Sequence, residues 1–482
     1  MLRSPSSPRV RWLVAGAFLP TPSGHAFSLT ASDWAGRFGQ AARALGVTVR
    51  DRIGSSDALF HEVSFASLDA FQLGEVIGAV PGLSALRTLH EALRGERGLS
   101  AEERAELGAT LGPGLLASDM VQALHGARSS QSAHRAALAV LEEALFATAC
   151  DILQSPAVAR LESSWRGLHW LGEHGASCPE LDIEVLDVAP HQLEEALARR
   201  LDAEPLQRPD ACFIADELDG PEALQPLALL GEQAWVPIVA SVPTALATDG
   251  TRTDGAPRAL PAAAWDALRT EESTRWLYAA LNPVVMMAER QGAVHRECFA
   301  PPALAVAVLL TSSLRNTRTF ARLVGPGSGS PAPAVWRPEA RGAVATQAVL
   351  SLREQERLAA RGLLGVSGGW DSNGVMLGPT APSLYGGRDA AHLPAQVLTG
   401  RLLRLSQAFA ASLPEGTRPE TVAATFVPAA EAFLSLGSGK PCPLQARVVP
   451  LGKAESGLHV RATLRPELAG TPLQLEFTVP LR

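Results

Sequence analysis

The residues Gly365-Val366-Ser367-Gly368-Gly369 satisfy G-x-S-x-G. In serine hydrolases that pattern holds the nucleophile on a strained strand-to-helix elbow, with an acid and a histidine elsewhere in the chain. The stretch before it, Arg353 to Leu364, is charged and helical in spacing, so the strand that an elbow needs is missing. A glycine-rich turn leaving a helix is expected there instead. His392 and His459 lie downstream, and no sequence feature couples either to Ser367. A serine hydrolase using Ser367 stands as the alternative from another class. Gly437-Ser438-Gly439-Lys440 resembles the end of a phosphate-cradling loop, but Leu434 occupies the place of the first glycine and Pro441 follows the lysine. Proline removes a backbone donor where donors are wanted, so the motif is rejected. His169 and His174 are too far apart in register to share a helix face, and His295, Glu297 and Cys298 fall short of a ligand set. The acid pairs Glu194–Glu195 and Glu271–Glu272 read as solvated helix faces. No catalytic, cofactor or metal centre emerges from these patterns.

Composition bounds the remaining classes. Of 482 residues, 46% are apolar and 19% charged, a globular balance. That length predicts roughly three domains. The formal net charge is −7 and no long basic run occurs. A protein that binds by neutralising phosphates carries the opposite sign, which disfavours nucleic acid as the main partner. Lys440 and Lys453 are the only lysines, so lysine general-base or Schiff-base chemistry has almost no candidates. The five cysteines are odd in number and widely spaced, without C-x-x-C. They read as buried thiols of a cytoplasmic protein. The longest apolar run, Ala303 to Thr311, is about half of what a bilayer requires. Arg9 to Leu19 has a basic-then-apolar look, but its short core ends at Pro20 and reads as a first buried strand, not a signal peptide.

The elements that must carry the chain alternate between two periods. Residues 11–19 predict a central strand, Ala31–Leu45 a helix, Val47–Ile53 and His61–Phe65 strands, and 81–95 an amphipathic helix. Together they predict a small α/β unit over residues 1–95. Residues 96–130 read as a linker, and Ala133–His174 as a long helical segment. Leu181–Val188, Ala211–Ala215 and Val236–Ala240 predict strands that alternate with helices at His191–Leu201 and Pro221–Glu232, the pattern of a partly parallel sheet. Pro261–Leu281 reads as helical, 325–335 as a flexible loop, and Ser351–Arg361 and Val397–Leu413 as helices. The end predicts three antiparallel strands within 444–481. The fold class expected is α/β, with mixed sheets flanked by helices and a C-terminal antiparallel strand meander.

One segment is unusual: Leu161-Glu162-Ser163-Ser164-Trp165-Arg166-Gly167-Leu168. On a helix Leu161, Trp165 and Leu168 share an apolar face, and Glu162 and Arg166 lie one turn apart and can pair. Gly167 inside a helix costs about 1 kcal/mol against Ala, which points to close approach by another element. The segment resembles the L-E-x-x-W-R-G-L signature of the large contractile-sheath subunit of bacterial type VI secretion systems, the TssC or VipB family. Other stretches agree in order. Trp265-Asp-Ala-Leu-Arg269 with Trp276 to Pro283 resembles a second family segment, and Arg353-Glu354-Gln-Glu to Gly362 a third. Pro443 to Val448 opens a terminal strand set like the family's, within which Leu475 and Phe477 fall. This resemblance covers residues of about 130–482, set by those motifs.

The opening residues resemble the small sheath subunit, TssB or VipA. Arg11 to Phe18 sits where that family has its first strand, and Phe65 to Phe71 followed by Val80-Pro81 to Leu89 is similar to its D-F-x-P…V-P-x-L pattern. The resemblance implies a fusion of two subunits, which makes their association intramolecular. It implies a non-enzymatic structural protein of a contractile sheath. The implied partners are further copies of itself, an inner-tube (Hcp-like) protein, baseplate components and the ClpV unfoldase, without nucleic acid or membrane insertion. Neighbouring sheath subunits of the family exchange strands, for which residues 444–481 are the candidates here. The chain is shorter than the two subunits together, its 96–130 junction is short, and Asp69-Ala70-Phe71 splits the family's Asp-Phe pair. These departures leave a second implied reading, a sheath-derived adaptor of the baseplate or cap that does not polymerise.

Overall fold

The computed structural model describes residues 9–481 except 44, 53–56, 96–99, 104, 106–108, 110–130, 248–261, 293, 318–319, 321–322, 324–328, 339–341, 379, 388–390, 415–416, 436–443, 452–455 and 465–472. The first stretch holds β1 (Val10–Gly16), β2 (Ala26–Ser28), α1 (Ala31–Ala41), the hairpin β3 (Leu45–Arg50) and β4 (Ala58–Val63), α2 (Leu73–Ala79) and α3 (Pro81–Arg94). Two long helices follow, α4 (Gln131–Gln154) and α5 (Pro156–Ala176). Strands and helices then alternate as β5 (Leu181–Asp187), α6 (Leu193–Leu201), β6 (Ala211–Glu217), α7 (Pro221–Ala234), β7 (Ile238–Ser241), α8 (Ala262–Leu268) and β8 (Leu277–Leu281). Next come the hairpin β9 (Val284–Gln291) and β10 (Val294–Ala300), α9 (Pro302–Thr317), β11 (Ser330–Pro331), α10 (Leu352–Ala360), β12 (Leu363–Gly368) and β13 (Gly374–Leu377). The chain closes with α11 (Leu393–Ser412), α12 (Pro419–Ser435), β14 (Leu444–Pro450), β15 (Ser456–Leu464) and β16 (Leu473–Leu481).

β1 organises the body. Its Trp12 and Val14 point into one apolar core and its Leu13 and Ala15 into another. A strand covered on both faces carries no polar alternation, which is why it reads as an unbroken apolar run. It runs parallel to β5 on one side and to β6 on the other. The whole sheet has the order β11-β13-β12-β8-β7-β6-β1-β5-β2, parallel from β12 to β5 and antiparallel at both margins. α5 and α9 cover one face, and α6, α7, α8 and α10 the other. The described residues of the opening 95 and of 131–482 therefore contribute to one nine-stranded sheet and to the core on its α5 face, with β1 of the former between β5 and β6 of the latter.

The architecture is mixed α/β with a terminal antiparallel set, as the sequence pattern predicts. Four local expectations differ. Pro261–Leu281 is not one helix: α8 ends at Leu268, and Leu277-Tyr-Ala-Ala-Leu281 is strand β8, fully buried between β7 and β12. A short apolar run has the same periodicity in a buried helix and a buried strand, and only the neighbours decide. The long segment from 133 to 174 is two helices, because Pro156 cannot continue α4 and instead opens α5. Ser367 lies not in a turn but inside strand β12, which pairs with β8 and β13. Within 325–335, Ser330 and Pro331 pair with β13 as a short edge strand, while 325–328 lie outside the described residues. Most of the 96–130 linker also lies outside them.

A separate lobe ends the chain. α12 and the second half of α11 pack on the three-stranded sheet β14-β15-β16, with Leu402, Phe409, Val422, Phe426, Leu458 and Val460 in its core. Pro428 is tolerated inside α12.

Candidate functional site

The signature segment lies on α5, and its apolar face sits at the junction of the two stretches of chain. Trp165 is fully buried, and its indole N–H donates to the carbonyl of Phe18, just beyond β1, at 2.7 Å. Its ring meets Trp34 edge-on at 5.0 Å and Phe38 at 5.5 Å, both on α1. Leu161 and Leu168 are buried beside it. Gly167 faces α9: a Cβ there would stand 2.6 Å from Leu304 Cδ1 and 3.1 Å from Ala300 Cβ. The two helices approach at that point because no side chain intervenes.

The adjacent face of α5 carries charge into the interior. Glu162, 1% exposed, accepts from Arg166 Nε at 2.8 Å and from Arg296 at 2.6 Å. Arg296, on β10, also binds Glu289 of β9 at 3.0 Å. Burial alone would lower the pKa of Arg296, but Glu162 and Glu289 outweigh it and hold the guanidinium above its ordinary value. The free donors and acceptors of this cluster reach the backbone of the opening stretch. Arg166 donates to Leu68 O at 2.8 Å, Arg296 donates to Phe71 O, and Glu289 accepts the N–H of Leu73 at 3.1 Å. Leu73 begins α2, where a carboxylate satisfies an otherwise orphaned N–H and meets the positive end of the helix.

A second buried cluster holds α11. Arg401 and Arg404 both meet the carboxylate of Asp210, which also accepts the backbone N–H of Arg11 at 3.0 Å. Burial, opposed by Asp210, pushes Arg404 down to about 10. Glu289, Arg296, Asp210, Arg401 and Arg404 escape sequence reading altogether. Nothing in their local spacing separates a buried ion pair from a solvated one, and apart from the Glu289–Arg296 pair across its hairpin the partners meet across long loop closures.

The other residues expected to matter are placed apart from α5. Trp265 is buried and donates to Arg361 O at 3.2 Å; Arg269 donates to Ala360 O at 2.9 Å and Leu384 O at 3.2 Å. Together they satisfy carbonyls at the C-terminal end of α10, where a cation is favoured. Burial lowers the pKa of Arg269. Glu354 closes a capping box with Ser351 at the other end of α10, and those hydrogen bonds hold its carboxyl below the usual range. Arg353 is exposed on the first turn. Pro283 follows Asn282, which has φ of 75°, and its carbonyl accepts Gln347 N–H at 2.9 Å. Leu475 and Phe477 point from β16 onto the lobe core. Among the described residues neither β14 nor β16 has a second strand neighbour.

Ser367 is buried, and its hydroxyl accepts from Gln355 Nε2 at 2.9 Å while facing Leu350 O at 3.5 Å. An open parallel sheet takes ligands beyond the carboxyl ends of its strands, at the point where the strand order reverses. Here that point lies beside β1 and is filled by the chain itself. Asp187 accepts the N–H groups of Phe18, Leu19 and Ser23, and Asp216 accepts that of Ala17 at 2.8 Å. Burial raises the pKa of Asp216 in spite of that bond.

No protein-family model matches the chain, and no curated protein matches it. Among solved structures, a chain from a cryo-EM structure of the anti-feeding prophage baseplate, six-fold symmetrised, is similar at 12% identity and a TM-score of 0.36. The match covers 66% of this chain and 77% of that one. A likeness of that size assigns no function. No described helix is long and apolar enough to cross a membrane.

Proposed function

We propose that this chain is a structural subunit of a contractile, type VI secretion-like apparatus, a fusion of small and large sheath-type modules that works by contacts with neighbours. The observation that carries the reading is the signature on α5. Trp165 and Arg166 donate to carbonyls of the opening 95 residues, and Glu162 holds Arg296, which donates to Phe71 O, so three residues of the segment act at the junction with the rest of the chain. β14 and β16, each with a single strand neighbour among the described residues, support it from the other end of the chain, since strand addition supplies backbone hydrogen bonds with little sequence demand. A head-to-tail contact of that kind yields a filament where its rotation does not close. The partners proposed are further copies of this chain, an inner-tube (Hcp-like) protein, baseplate components and the ClpV unfoldase, in the cytoplasm.

Electron microscopy of the purified protein, alone and mixed with tube and baseplate proteins, tests this. Filaments or stacked rings that disappear when residues 473–482 are removed are expected. Discrete particles that bind baseplate proteins without polymerising favour the adaptor reading, which the short 96–130 junction supports. Monomers under every condition remove both.

A further inference from the structure

α11 belongs to two cores. Leu393 and Val397 lie in the core of the body, whereas Leu402, Leu405 and Phe409 lie in that of the closing lobe. The crossing falls between Gly400 and Arg404. Gly400 presses on the end of α7, where a Cβ would stand 2.3 Å from the carbonyl oxygen of Trp235. Trp235 turns the chain there with φ of 55°. One turn further along α11, Arg404 donates to Pro209 O at 2.9 Å and Trp235 O at 3.0 Å. Arg401 lies over the ring of Phe433 on α12, at 4.5 Å from its centroid, and so belongs to the lobe as well as to the cluster. Asp210 donates its backbone N–H to Arg11 O at 2.7 Å and accepts the Arg11 N–H on its carboxylate, which fixes it to the central strand.

The contact at this crossing is ionic, and two guanidiniums share one carboxylate. Removing charges from water costs free energy that their mutual attraction repays only in part, and exposure returns it. The apolar cores on either side carry no such tension. A glycine in mid-helix is also where bending costs least. We infer that α11 is a hinged helix: the half beyond Gly400 swings with the closing lobe as one unit, and Asp210 is the latch that holds it against the body through Arg401 and Arg404. Release exposes the three charged groups and parts Leu398, which touches both cores, from one of them, while the buried members of each core stay packed. The inference does not depend on the contractile reading.

Distances between spin labels on cysteines replacing Glu194 of the body and Gln474 of the lobe, both exposed positions, test it in the full chain. Cys442 is changed to Ser for this purpose, and the four described native cysteines are buried. The unmutated latch should give one narrow distance. Asp210→Asn should add a second distance or broaden the first, while the cooperative melt of the body persists. Arg404→Met, which removes the Pro209 and Trp235 contacts and leaves one cation per carboxylate, should do the same more weakly. The original narrow distance in whichever variant folds, or loss of the body's melt in both, overturns the hinge.

Discussion

Around Glu162 two guanidiniums meet two carboxylates, whereas around Asp210 two guanidiniums meet one. The first cluster spends its remaining donors on carbonyls of the opening stretch and its remaining acceptor on the first N–H of α2. It is flanked by the Trp165 cage, so charge and apolar packing hold the same two pieces together. The second cluster stands at the boundary between two cores, with the Phe433 ring against Arg401. Buried ion pairs add little net stability but specify geometry, and they cost dearly when one partner is lost. In the first region that specificity sets a permanent junction. In the second it sets the angle of a lobe.

The comparison can be broken at its strongest point first. Trp165→Ala removes the anchor of the α5 junction, and truncation of a buried tryptophan costs about 3–5 kcal/mol. Chemical denaturation should show a loss of that size for the whole body. Arg296→Met leaves Glu162 buried with Arg166 alone, an expected cost of about 3 kcal/mol by the same measurement. A double-mutant cycle with Glu162→Gln should recover part of it, since the two residues share the bond that is lost. A negligible effect of Arg296→Met would make the two clusters alike and remove the distinction. Gly167→Ala pushes a methyl into Leu304, and overpacking of this kind costs about 1–3 kcal/mol. Its effect should appear as a lowered midpoint with an unchanged denaturant slope.

The smallest expected effect lies outside both clusters and gives the baseline. Ser351→Ala removes the capping box of α10, worth about 1 kcal/mol. The carboxyl of Glu354 is held below the usual range by that box. A depressed carboxyl contributes stability above its unfolded pKa and loses it as pH falls through the folded value. The gap between the unmutated chain and Ser351→Ala should therefore shrink below about pH 4, the ordinary carboxylate range. Equal melting temperatures at pH 7 would show that α10 does not need its cap.

Much of the scaffold is legible because it rests on local pattern. The unbroken run of β1, the alternation from Leu181 to Ala240 and the terminal strands each carry their own periodicity. β8 is not legible, since Leu277-Tyr-Ala-Ala-Leu281 fits a helix as well as a strand until β7 and β12 flank it. The hairpin β9–β10 is invisible for a related reason: Arg290, Arg296 and Glu297 make it look solvated, yet Arg296 is buried against Glu162. On α5, the helix, its tryptophan face and the Glu162–Arg166 pair can all be read from spacing. The partners that make the pair buried come from more than a hundred residues away.

Periodicity and composition by themselves determined the α/β class, the helical setting of Trp165 and the terminal strand set, because each depends on neighbours within a few turns of chain. Only the tertiary structure decided that β1 stands between β5 and β6, and that Asp210 and Glu162 each gather cations from distant elements. Both results follow from loop closures whose entropy is repaid only when the sheet and its cores form together.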